Sequence, residues 1–183
     1  FKKYKHLKII SVGRLTDQKD LIILLKAFTE LLKTRKARLL LIGNGSDYKK
    51  LRNYIKNKNI SKNEKILNFQ SNPYKFISLA DVKVLTSKYE GNPNILLEVA
   101  CLKKLIVSTD CKVGPSEILQ NGKGGILFKV GDSKKLYNIL KNLIIKDKEI
   151  NKKINITYNY VKNNFKKDIS EPFLNIIKNY KWK

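Results

Sequence analysis

Leu7-Lys-Ile-Ile-Ser-Val12, the loop from Gly13 to Lys19, the segment Asp20 to Arg35 and Leu39-Leu-Leu-Ile42 set the reading of the whole chain. The first and last are short apolar runs of strand length. Between them Leu21, Leu24, Leu25, Phe28, Leu31 and Leu32 recur at helical spacing. The same rhythm continues outward. Lys65-Ile-Leu-Asn-Phe69, Val82-Lys-Val-Leu85, Leu105-Ile-Val107 and Gly125-Ile-Leu-Phe128 read as further strands bounded by turn residues, and Asp47 to Lys58 as a weaker amphipathic helix. Alternating strands and helices imply an α/β fold: a doubly wound, Rossmann-like parallel sheet of about six strands with helices on both faces. After Asp132 the pattern is helical only, over Lys134 to Ile145, Glu149 to Phe165 and Glu171 to Tyr180. The reading is therefore one domain over residues 1–183, with a core at about 7–145 and a helical C-terminal tail at 146–183.

The composition fits a folded domain. Of 183 residues, 42% are hydrophobic and 30% charged, enough for a core without disulfides or a structural metal. Cys101 and Cys111 read as two reduced thiols of a cytosolic protein. No run approaches the ~18 apolar residues that a spanning helix needs, and the basic start Phe1-Lys-Lys-Tyr-Lys lacks the apolar centre of a signal peptide. There is no Met, even at position one, which reads as a piece of a longer protein.

With 39 Lys and Arg against 15 Asp and Glu the net charge is +24. That raises nucleic-acid or anionic-lipid binding. Arg, however, stands only at 14, 35, 38 and 52, and the remaining basic residues are Lys scattered along the chain. Base and phosphate recognition favours the planar fork of Arg, so a solvated surface is the better reading and no nucleic-acid partner is expected. Dispersed Lys still suits peripheral contact with an anionic membrane, each close contact contributing about 1 kcal/mol.

In a doubly wound sheet the ligand lies beyond the carboxyl ends of the strands, so the loops there carry the chemistry. Gly13 allows a tight exit from the first strand, and Arg14 and Lys19 flank the approach to the next helix. Two cations at a helix start are unfavourable alone and make sense around an anion such as a pyrophosphate. The second loop, Ile42-Gly-Asn-Gly-Ser-Asp47, has only Gly-x-Gly where a dinucleotide fingerprint needs a third Gly and a later acid, so it reads as a tight turn with Ser46 or Asp47 as a helix cap.

The segment Ser87 to Leu102 is the most informative. Pro93 suits a first helical position, with Asn92 as its cap and Gly91 letting the backbone approach a ligand. Free N–H groups there would face phosphate oxygens. Glu98 stands alone in the apolar run Ile95 to Leu102, where a buried charge is costly unless something hydrogen-bonds to it, and a pair of sugar hydroxyls would do so. Glu90 precedes the helix, so both acids can border one cleft; the alternative is an exposed loop acid at Glu90 and a solvent-facing helix position at Glu98.

Gly13-Arg14-Leu15 with Lys19, Leu41-Ile-Gly-Asn-Gly45, Tyr89-Glu-Gly-Asn-Pro-Asn-Ile-Leu-Leu-Glu98, Ser108-Thr-Asp110 with Gly114-Pro-Ser-Glu-Ile118, and Gly124-Gly-Ile-Leu-Phe128 with Gly131-Asp132 resemble, in order and spacing, the C-terminal half of group 1 (family 4) glycosyltransferases of GT-B fold. The resemblance implies a donor domain binding a nucleotide diphosphate sugar, a UDP-hexose or UDP-N-acetylhexosamine, for retaining transfer to a polysaccharide or lipid-linked acceptor. The alternative is a nucleotide-sugar-binding module without activity of its own. By the same resemblance Arg14 and Lys19 would meet the diphosphate without a metal ion or other cofactor. Glu98 would hold the ribose, Glu90 a donor-sugar hydroxyl, the backbone from Gly91 through Asn92 and Pro93 to Asn94 sugar and phosphate oxygens, and the loop with Gln70 and Asn72 the nucleobase. It also implies an N-terminal acceptor domain, absent from this sequence. The thiols and the dispersed Lys together give the expected place as cytoplasmic, with peripheral contact at the inner face of the cytoplasmic membrane. Asn92 stands where many relatives have Phe.

Overall fold

A computed structural model describes residues 6–145 and 147–165. Six strands form one sheet: β1 Leu7–Val12, β2 Ala37–Ile42, β3 Glu64–Leu67, β4 Val82–Leu85, β5 Leu105–Thr109 and β6 Ile126–Phe128, in the spatial order β3-β2-β1-β4-β5-β6. Every pairing is parallel. The order reverses between β1 and β4, which neighbour each other with Ile9 opposite Val82. A crevice at that switch point is what the topology provides for a ligand.

The helices are α1 Leu21–Leu32, α2 Tyr48–Asn57, α3 Tyr74–Leu79, α4 Asn94–Cys101, α5 Pro115–Ile118, α6 Ser133–Asn142 and α7 Lys148–Asn164. Side chains alternate across each strand, so the sheet feeds two cores. Leu7, Ile9, Leu39, Leu41, Val82 and Val84 pack against α1, α2 and α6 on one face. Ile10, Ile42, Leu85 and Ile106 pack against α3, α4 and α7 on the other.

Three details differ from the sequence reading. α3 and α5, six and four residues long, are too short to show a helical period. α4 begins at Asn94, with Pro93 in the cap position rather than the first turn and Asn92 one residue further out. Asp47 precedes α2 but makes no side-chain cap bond. The helix expected over Glu171 to Tyr180 lies outside the described residues. No helix among those described is long and apolar enough to cross a membrane.

The two loops at the head of the sheet are in close contact. A Cβ on Gly43 would lie 1.9 Å from the Gly13 carbonyl oxygen, and one on Gly45 2.2 Å from that of Leu15. Leu15 N–H donates to Asn44 O at 2.8 Å, and Asp47 N–H to Leu15 O at 2.9 Å. The Gly-Asn-Gly loop is thus the bed on which the Arg14 loop rests.

Candidate functional site

At the carboxyl ends of β1 and β4 the two crossover loops are fastened together. Lys19 follows β1 on a single 3-10 turn, Asp17–Lys19, and its stem runs beneath Gly13. Its ammonium meets Glu90 Oε1 at 2.6 Å, both side chains nearly buried at 16% and 6% exposure. The same carboxylate oxygen accepts from the Ser87 hydroxyl. Thr86 Oγ1 donates to the Lys19 carbonyl at 2.8 Å, Gln18 Nε2 to Tyr89 O at 3.0 Å, and Lys88 pairs with Asp17 at 2.7 Å. Asp17 is held below the usual carboxylate range by its hydrogen bond to Lys88. Arg14 stays exposed on the rim, its Nη2 donating to Gln18 Oε1 at 3.3 Å. Other arginines are committed to structure: Arg35 Nη1 donates to Leu140 O and Leu143 O at the end of α6, and Arg38 Nη1 to Lys62 O.

A cavity of about 660 Å³ opens between these loops, the head of α4 and the loop after β3. Gly13, Arg14, Lys19, Gln70, Glu90, Asn92, Pro93, Asn94 and Glu98 all line it. The structure therefore gathers the cationic loop and the two acids, which are separated by more than 70 positions in sequence, around one space. Glu98 is half-buried, and burial raises its carboxyl against the opposing pull of Lys83. Tyr74 sits by it, its phenol pushed up to about 12 by burial and by the Glu98 charge.

Two expected members stand back from the cavity lining. The Asn72 side chain accepts from Tyr74 N–H at 3.1 Å at the head of α3. Gly91 is exposed beside the lining, and a Cβ there would meet nothing within 4 Å. The amides of this turn divide between bonded and free. Asn94 N–H donates back to Asn92 O at 2.9 Å and Leu96 N–H to Pro93 O at 2.8 Å. Pro93 has no N–H, so of the stretch from Gly91 to Asn94 only the Gly91 and Asn92 amides make no hydrogen bond among the described residues.

Sequence reasoning missed three contributors. Phe69, 71% exposed, stands beyond the end of β3 and lines the cavity. Asn44 lines the cavity while its Oδ1 accepts from Phe69 N–H at 3.1 Å. Lys83, fully buried on β4, feels the charges of Lys19, Glu90 and Glu98, three of the residues that line the cavity. A lone Lys between valines in a buried strand was a legible signal for the last of these. Among the described residues no three His, Cys, Asp or Glu side chains gather as a metal site would require.

A family model described as glycosyl transferases, group 1, matches residues 1–161. An uncharacterized glycosyltransferase of Methanocaldococcus jannaschii is 39% identical over 111 residues, which is 60% of this chain and 27% of that protein. The N-acetylgalactosamine-N,N'-diacetylbacillosaminyl-diphospho-undecaprenol 4-alpha-N-acetylgalactosaminyltransferase of Campylobacter jejuni is 31% identical over 140 residues, 76% of this chain and 38% of that protein. The crystal structure of HepE from Anabaena, solved in complex with UDP-glucose, superposes with a TM-score of 0.82 at 20% identity over 96% of this chain and 49% of that one. The chain thus spans well under half the length of the two sequence relatives, and about half of the structural one.

Proposed function

The chain belongs to the group 1 glycosyltransferases, and on that premise we propose that it is the donor-binding half of a retaining hexosyltransferase. Its donor is a UDP-hexose or UDP-N-acetylhexosamine, and its acceptor a polysaccharide or lipid-linked saccharide bound by an N-terminal domain that completes the enzyme. The observation that carries this reading is the convergence of Arg14, Lys19, Glu90 and Glu98 on one cavity at the switch point of the sheet.

The chemistry is mostly electrostatic. As the bond from the anomeric carbon to the diphosphate oxygen lengthens, its electron pair passes to the leaving diphosphate, and Arg14 and Lys19 meet that charge without a metal ion. The backbone that carries them is set before the charge develops, because the Gly43 loop and the Thr86 hydroxyl hold it. Lys19 drawn towards phosphate releases Glu90 to accept a hydroxyl of the donor sugar. Glu98 holds the ribose hydroxyls, and Phe69 with Gln70 flanks the base, the ring face supplying stacking worth about 1–3 kcal/mol. UDP-glucose occupies HepE, which supports a UDP-sugar as donor, and the Campylobacter protein is named for an undecaprenol-linked acceptor, which supports a lipid-linked saccharide as acceptor. With such an acceptor, the lysine-rich surface would rest against the anionic inner leaflet.

Melting curves of the chain against a panel of UDP, ADP, GDP and their sugars test the donor, since a ligand that binds only the folded form raises the melting temperature by mass action. UDP-hexoses or UDP-N-acetylhexosamines are expected to shift it most; no shift with any sugar nucleotide overturns the reading. The second reading, a binding module without activity of its own, is favoured by the chain's partial span of its relatives. A transfer assay with and without the N-terminal half separates the two, and activity only in the completed enzyme is the expected result.

A further inference from the structure

All four residues of β4 are buried, and one of them is charged. Lys83 lies opposite Ile10 on β1 and Ile106 on β5, so its side chain leaves the sheet among apolar groups on the α4 face. Its ammonium, with three donors to satisfy, has Val84 O at 2.8 Å and Ser11 Oγ at a long 3.4 Å. Burial lowers its proton affinity until the group titrates at about 7, and the charge of Lys19 acts in the same direction. Glu90 from the β4–α4 loop and Glu98 from α4 oppose them. Tyr74 on α3 and Cys101 on α4 feel the Glu98 charge, and Cys111 after β5 that of Glu90. The balance is close to even at neutral pH, and Glu90 is already engaged with Lys19 at 2.6 Å. Phosphates arriving on Arg14 and Lys19 add negative charge beside Lys19, whose own charge this buried amine feels.

We propose that anion binding in the cavity is coupled to proton uptake by Lys83. The lone pair on Nζ takes a proton from the buffer as the ligand's phosphates settle on Arg14 and Lys19, and the new ammonium balances the ligand's charge. This rests on the diphosphate reading of the cavity. By linkage, UDP binds more weakly as pH rises above neutrality, and the buried strand, not the cavity surface, sets that dependence.

Calorimetric titration of the chain with UDP at about pH 8, where the phosphates of UDP are already ionised, tests this in HEPES and in Tris, whose ionisation enthalpies differ. The wild-type protein is expected to take up a fraction of a proton per UDP, and Lys83→Met and Lys83→Gln none; two neutral replacements guard against a misfolded one. In the wild type alone, the UDP affinity is expected to fall between about pH 7 and pH 8.5, approaching tenfold per pH unit at most. UDP binding with equal proton counts in wild type and a folded variant, or with an affinity flat over that range, overturns the coupling and leaves the donor reading standing. Absence of UDP binding in the wild type overturns the donor reading itself, and this inference with it.

Discussion

The centre of the sheet and its β3 edge each bury an ionisable side chain, and they treat it differently. Lys83 on β4 has two hydrogen-bond acceptors and lies in the fields of Lys19, Glu90 and Glu98, which line the cavity. Glu64, 8% exposed at the start of β3, has neither carboxylate oxygen hydrogen-bonded among the described residues, and burial lifts its titration to about 7, with Arg52 on α2 pulling the other way. A charge withdrawn from water costs several kcal/mol unless it is paired. At the centre that cost is partly offset by groups that also face a ligand. At the edge Arg52 alone among the described residues opposes it, and the carboxylate takes up a proton instead. Buried charge therefore marks the working region of this fold when other charges converge on it.

The sharpest test of this contrast is to strip the cations over the cavity. In the completed enzyme, Arg14→Ala and Lys19→Ala are each expected to lower kcat by 10²–10³-fold, about 3 kcal/mol of lost stabilisation of the leaving group. Urea unfolding should move far less for Arg14→Ala, which loses one exposed contact, than for Lys19→Ala, which leaves Glu90 nearly buried without its partner. Near-normal turnover in both variants would erase the distinction between the two regions.

Replacing the central buried amine reads on stability instead. The folded-state proton affinity of Lys83, near 7, lies below its unfolded value of 10.5, so the folded protein binds fewer protons between these limits and the wild type gains stability as pH rises through that window. Lys83→Met is accordingly expected to be more stable than wild type by about 2 kcal/mol at neutral pH, an advantage that shrinks towards pH 10 in denaturant titrations. An equal or lower stability at pH 7 would mean that the ammonium is better compensated than its two contacts suggest.

At the edge the sign reverses. Glu64 titrates near 7 when folded and near 4.5 when unfolded, so stability is lost as pH rises through that interval. Glu64→Gln removes the charge but keeps a polar group, and is expected to add about 1 kcal/mol at pH 8 and nothing below pH 4.5, measured as the pH dependence of the melting temperature. A gain independent of pH would place the carboxylate in water.

Much of this architecture is legible in the chain. Each of the six strands carries short apolar runs bounded by turn residues, and their alternation with amphipathic helices implies parallel order, so the crevice between β1 and β4 follows from topology. Arg14, Lys19 and Glu98 are legible because each stands where its residue type is unfavourable without a partner. The Lys19–Glu90 contact is not, since it joins positions 71 apart and only the folded sheet brings their loops together. The start of α4 reads one residue early because the Asn92–Asn94 turn satisfies locally an amide that a regular first turn leaves free. Phe69 reads as part of its strand because an apolar residue at a strand end looks the same in sequence whether it pairs or projects.

The central claim is that one cavity holds a nucleoside diphosphate between the Arg14 loop and Glu98. Calorimetry of UDP against wild type and Glu98→Gln tests it most directly. A drop in affinity of about tenfold, the loss of charge on one hydrogen-bonding acceptor, is the predicted result. An unchanged affinity in the folded variant would contradict it.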